Sequence, residues 1–138
     1  MLHVSTGVLR YGFDERAKDL KLVVEIDHGI AETYRAIVPK HYRVSRPRFA
    51  PHISVVRHEA IPADKMHLWS VHEGAACTFS YDPTICYDET YFWLRVYSDG
   101  LVAVREELGL HALSELARPP DRAECFHTTI ANRKTTTT

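Results

Sequence analysis

The sequence predicts an α+β domain with helices laid against one face of a sheet. Two observations lead there. Apolar or alternating runs of strand length recur from residue 20 to residue 131, and the stretches between several of them carry helical spacing. The 138 residues are 45% apolar, which fits one domain whose core needs no disulfide staples. Residues 1–134 are expected to form that domain, with the threonine run at 135–138 as a frayed tail.

Residues 20–26, Leu-Lys-Leu-Val-Val-Glu-Ile, read as a buried strand. Residues 29–38 place Ile30, Ala31, Tyr34, Ile37 and Val38 at helical spacing, and Pro39 is a natural stop. A basic loop follows at 40–48. Residues 49–57 read as a strand, starting after Pro51 because proline cannot donate to a ladder. A short helix is expected at 63–71. Strands are expected at 77–81, 84–87 and 90–97, with turns at Asp82-Pro83 and Asp88-Glu89. Residues 99–108 predict a helix with Asp99 as N-cap and Gly109 near its end. Pro119-Pro120 breaks the chain before a last strand at 125–131.

The formal net charge of −1 argues against a protein that coats long nucleic acids by bulk electrostatics, though it leaves room for a local basic site. Three cysteines, Cys77, Cys86 and Cys125, form no C-x-x-C pair. That odd count, and a start without a charged segment before an apolar one, lead us to expect reduced thiols in a cytoplasmic setting. No apolar run approaches the roughly 20 residues that span a bilayer, so no membrane partner is expected.

Two segments match each other in kind: Pro51-His52-Ile53-Ser54-Val55 and Phe126-His127-Thr128-Thr129-Ile130. Each is histidine, any residue, hydroxyl residue, apolar residue, in a strand-like context. Residues two apart on a strand share a face, so His52 aligns with Ser54 and His127 with Thr129. The chemistry suits this arrangement. One histidine can take a proton while the other gives one to a leaving oxygen, and histidine titrates near neutrality. The hydroxyls can donate to non-bridging phosphate oxygens where charge develops. Neither metal nor cofactor is required. A single H-x-[ST] arises often by chance; a matched pair in strand context is more specific. The plain alternative is that both histidines are ordinary strand residues.

The paired motifs resemble those of the two-histidine (2H) phosphoesterase superfamily, which includes 2′-5′ RNA ligase-like proteins and 2′,3′-cyclic phosphodiesterases. The resemblance implies two pseudo-symmetric lobes with antiparallel sheets forming a central cleft and helices on the outer faces. It also implies His52 and His127 as the acid–base pair, with Ser54 and Thr129 as phosphate ligands. Ser54 stands where threonine is common, and Thr128 where an apolar residue is usual. The expected activity is metal-independent cleavage of a nucleotide-type phosphodiester: a 2′,3′-cyclic phosphate, a 2′-5′ linkage or a cyclic oligonucleotide. A small nucleotide or a short RNA end is the expected partner, and no obligate protein partner is inferred. Which histidine is the base stays open.

Cations crowd both motifs. Lys40, Arg43, Arg46 and Arg48 precede the first and Arg57 follows it; Arg133 and Lys134 follow the second. Arg48, Arg57 and Arg133 are taken as candidate phosphate contacts. In residues 90–97, Tyr91, Trp93, Arg95 and Tyr97 alternate with the apolar Phe92, Leu94 and Val96. The apolar face should pack on helices. The mixed face should then meet the cleft, where Tyr91 or Trp93 could stack on a base and Arg95 could bind phosphate. The other histidines form no H-E-x-x-H, and no metal site is expected. Two other classes compete: a nucleotide- or RNA-binding module of the same fold without turnover, and a zinc-binding structural protein.

Overall fold

The computed structural model describes residues 1–114 and 125–134, so the expectations for Pro119-Pro120 and the tail at 135–138 lie outside the described residues. In chain order the strands are β1 (His3–Asp14), β2 (Asp19–Glu25), β3 (Val44–Ser45), β4 (His52–Arg57), β5 (Ala76–Tyr81), β6 (Cys86–Tyr87), β7 (Tyr91–Tyr97) and β8 (Phe126–Arg133). Helix α1 (His28–Ile37) follows β2 and helix α2 (Asp99–Glu107) follows β7. The expected helix at 63–71 is a 3-10 helix over Ala63–Leu68.

The chain is α+β, with one large antiparallel sheet. Its strand order is β3-β8-β4-β2-β1-β5-β7-β6, and β8 also pairs with β7. Six strands, β1-β2-β4-β8-β7-β5, therefore close into a ring. Two seams of that ring are thin. β4 meets β8 through one register pair, Ile53 with Thr128, and β5 meets β7 through Ser80–Tyr97 and Tyr81–Val96. The first seam joins the two histidine motifs at their middle residues.

The sequence reading missed β1. Its alternation is interrupted by Gly7 and Gly12, and glycine weakens a strand pattern. Gly7 has a packing reason: a Cβ there would collide with the Val24 side chain and the Glu25 carbonyl. The helix ends follow local chemistry. Asp27 caps α1 by accepting the Gly29 N–H at 2.8 Å. Ser98, not Asp99, caps α2, accepting the Leu101 N–H at 3.2 Å. Gly109, with φ of +78°, turns the chain away after α2 as expected.

The core has two parts. Leu22, Val24, Ile53, Val55, Phe79, Val96 and Phe126 pack with Leu101 and Leu108 beside α2. Phe92, Leu94, Ile130 and Ala131 pack with Ala31 and Val38 of the α1 region. Each buried Val, Leu, Ile or Phe among them contributes on the order of 1.5–3 kcal/mol. Each motif strand thus has one face held down by apolar packing, and its other face is left for the histidines. Among the described residues, no helix is long and apolar enough to cross a membrane.

Candidate active site

Period-two alternation sets both motifs. On β4, Ile53 and Val55 are buried while His52 and Ser54 are half-exposed; on β8, Thr128 and Ile130 are buried while His127 and Thr129 are half-exposed. The antiparallel register about Ile53–Thr128 sets His52 beside Thr129 and His127 beside Ser54. On a regular antiparallel pair such diagonal neighbours are about 7–8 Å apart, with their β-carbons somewhat closer. His52, Ser54, His127 and Thr129 all line one cavity of about 270 Å³, with Phe49, Arg57, Tyr91 and Asn132 also in its wall. The backbone carbonyl of Ala50 lies 2.8 Å from His52 Nδ1. A carbonyl only accepts, so Nδ1 carries the proton and Nε2 of the neutral ring is left to accept one.

The same irregularity follows each motif. Leu22 and Val23 of β2 face Val56 and Ser54 of β4, which leaves Val55 as an extra, bulged residue. Phe92 and Trp93 of β7 face Ala131 and Thr129 of β8, which leaves Ile130 as the extra residue. A bulge shifts the alternation by one. The fifth residue after each histidine, Arg57 on β4 and Asn132 on β8, therefore reaches the cavity.

Each bulge is also held from a helix. Arg105 of α2 donates through its Nη1 to the Val55 carbonyl at 2.7 Å. Arg35 of α1 donates through its Nη1 to the Ile130 carbonyl at 3.0 Å. Arg105 is 0% exposed and is further fixed by both Glu59 carboxylate oxygens, at 2.7 and 2.8 Å, and by the His111 carbonyl at 2.8 Å.

The remaining candidates separate. Arg57 and Tyr91 line the histidine cavity. Arg48 lies over the Phe49 ring at 5.7 Å and lines an adjoining hollow. Arg95 pairs in register with His127 and is half-buried, but it does not line the cavity. Two expectations are corrected. Trp93 is on the expected face, opposite Thr129, yet only 2% exposed. It is flanked by β6 as well as β8, and its covered ring cannot take a base. Arg133 is turned away, because the bulge at Ile130 moves Asn132 into its place. Its Nε donates to the Asp88 carbonyl at 2.9 Å, and its guanidinium lies 5.0 Å from the Tyr42 and Phe92 ring centroids.

The sequence reading missed Asn132 and Phe49 as cavity residues. The available signal for Asn132 was the doubled apolar residue after each hydroxyl, Val55-Val56 and Ile130-Ala131, which breaks the alternation. Cys125, close to His127 in sequence, is buried, and burial pushes its thiol pKa up, so it is poorly suited to act as a nucleophile. Among the described residues, no group of three or more His, Cys, Asp or Glu is placed to hold a metal ion. Comparison with family models, with curated proteins and with solved structures finds no match.

Proposed function

We propose that the chain is a phosphodiesterase of the two-histidine type, acting on a nucleotide-type phosphodiester without a metal. One observation carries the reading: two histidines and two hydroxyls, delivered by two strands joined at their motif centres, line a single cavity. The matched bulges and the matched helix arginines support two pseudo-symmetric lobes that meet at the β4–β8 seam. In the forward step a neutral histidine takes a proton from the attacking water or hydroxyl. The phosphorus–oxygen bond to the leaving group breaks, and the protonated histidine gives that oxygen its proton. Ser54 and Thr129 donate to the non-bridging oxygens, and Arg57 adds positive charge from the cavity wall.

A 2′,3′-cyclic phosphate, a 2′-5′ linkage and a cyclic oligonucleotide all suit this machinery. The test is a panel of cyclic and linear nucleotide phosphodiesters followed by phosphorus NMR in EDTA. Turnover of one class in chelator, lost in His52→Ala and His127→Ala, is the expected result. Activity that vanishes in EDTA and returns with zinc or manganese would overturn the metal-independent mechanism. Binding without turnover across the panel would favour a non-catalytic binding module.

A further inference from the structure

Beside the histidine cavity lies a larger hollow of about 630 Å³. Phe49, Ala50, His52, Ser54 and Arg57 wall both, so the two are continuous. The floor of the second is the outer face of β1 and β2. Across the sheet Val23 lies opposite Ser54, Lys21 opposite Arg57, and Gly12 opposite Lys21.

The charge of this hollow is less balanced than its residue count suggests. Its acids are engaged. Glu25 accepts from Arg10 Nε at 2.7 Å, Glu15 pairs with Lys18 at 3.6 Å, and Asp14 accepts the Arg16 and Ala17 N–H groups, each at 3.0 Å. The Asp14 carboxyl is held below its ordinary pKa chiefly by the Ala17 N–H, with Arg57 and Lys21 adding to the effect. Among the described residues, neither the Lys21 nor the Arg57 side chain makes a hydrogen bond or ion pair. Like charges directly opposite on an antiparallel pair repel; the Asp14 carboxylate offsets part of that repulsion, and an anion between them relieves more of it. A phosphate fits this need, since guanidinium and ammonium groups both bind it. At the wall between the hollows, Phe49 is 64% exposed; Arg48 lies over one side of its ring, which leaves the other side for a base.

We propose that this hollow is a second subsite that holds the neighbouring nucleotide of an oligonucleotide, its phosphate between Lys21 and Arg57 and its base against Phe49. The inference rests on the phosphodiester reading of the histidine cavity and narrows it: the substrate is a chain of two or more nucleotides rather than a mononucleotide. Single-strand stacking on an aromatic ring and phosphate neutralisation are the two sources of grip.

The test is isothermal titration calorimetry with uridylates of one, two and three nucleotides ending in a 2′,3′-cyclic phosphate. The His127→Asn protein serves as host, to block turnover. Affinity is expected to rise about tenfold or more from one to two nucleotides. Lys21→Gln should remove most of that increment and change mononucleotide binding far less. It should also flatten the salt dependence of dinucleotide binding by about 0.7 in log–log slope, the value for one single-strand phosphate contact. Phe49→Ala should lower dinucleotide affinity severalfold. Equal affinity across the series, with the mononucleotide bound, overturns the second subsite and leaves the phosphodiester reading standing. Equal losses on mono- and dinucleotide in Lys21→Gln also overturn it. Failure of the whole series to bind, together with no turnover or binding of any member of the phosphodiester panel, overturns both.

Discussion

The two motif strands are built alike and supported differently. Each carries histidine and hydroxyl on one face, a bulge at the third residue after the histidine, and a polar residue in the cavity at the fifth. The β4 bulge is gripped by a buried arginine with a carboxylate partner, whereas the β8 bulge takes one bond from the half-exposed Arg35. β8 instead lies beside β7 along most of its length, from Tyr91–Asn132 to Val96–Phe126. One strand is fixed by a buried ion pair and the other by its neighbour in the sheet. The same local geometry is thus reached through different interactions, and the polar groups delivered differ as well: cationic Arg57 on one side, neutral Asn132 on the other.

If the strands are equivalent in chemistry, the largest effects should be symmetric. His52→Ala and His127→Ala should each lower kcat by roughly 10²–10⁴-fold, the range for one general acid or base. Steady-state turnover on the identified substrate measures this. The pH–rate profile should be bell-shaped, since one ring must be neutral and the other protonated, and each variant should lose one limb. A variant with wild-type turnover at either position would remove that strand from the mechanism and end the comparison.

Support should be asymmetric. Arg105→Met leaves the Glu59 carboxylate and the Val55 carbonyl without their donor in the interior, a change that costs about 3–5 kcal/mol for a broken buried pair. Arg35→Met removes one hydrogen bond at a half-exposed site and should cost about 0.5–1.5 kcal/mol. Urea unfolding of the two variants gives both numbers. Adding Glu59→Gln to Arg105→Met should recover part of the loss, because the uncompensated charge is gone. Similar losses for Arg35 and Arg105 would mean that both bulges are held to the same degree.

The sequence made part of this legible. Period-two alternation placed both histidines and both hydroxyls, because it depends only on the pleat. It registered the bulges only as a doubled apolar residue, Val55-Val56 and Ile130-Ala131. Val55 and Ile130 are ordinary apolar residues, and whether such a residue continues a ladder or bulges out depends on the neighbouring strand. Arg133 was named for its charge beside the second motif, and the bulge puts Asn132 in the cavity instead. Alternation likewise placed Trp93 on the correct face but said nothing of what covers it. The short strand β6 pairs alongside it through Cys86, and two residues of strand give little sequence signal. β1 was illegible in part for the reason that makes it fit, the glycine at position 7 that permits close approach.

The residues at the fifth position should divide binding unequally. Arg57→Gln removes a charged donor from the cavity, and charged hydrogen bonds contribute about 1.5–3 kcal/mol. A fall of roughly 10–100-fold in kcat/KM is expected. Asn132→Ala should cost a few-fold only. The group lost is a neutral amide, whose hydrogen bonds contribute about 0.5–1.5 kcal/mol. A larger loss in Asn132→Ala than in Arg57→Gln would reverse the assignment of charge to the β4 side.

The smallest effect isolates the faces turned away from the chemistry. Ile53 and Thr128 are the paired middle residues of the two motifs, and both are buried, Ile53 at 0% and Thr128 at 1% exposure. The Thr128 hydroxyl has no hydrogen-bond partner among the described residues. An unsatisfied buried hydroxyl costs about 1–3 kcal/mol, whereas the methyl that would replace it needs no partner. Thr128→Val should therefore stabilise the protein by about 1 kcal/mol, read as a higher urea midpoint at unchanged slope. Ile53→Thr, the reverse change at the partner position, should destabilise it by a similar or larger amount, since it adds a hydroxyl and removes packing. Neither residue faces the cavity, so kcat should follow neither change. A Thr128→Val protein less stable than wild type would mean that the hydroxyl has a partner, such as an ordered water between the motif strands. The seam at Ile53–Thr128 would then be held by polar contact as well as by apolar packing.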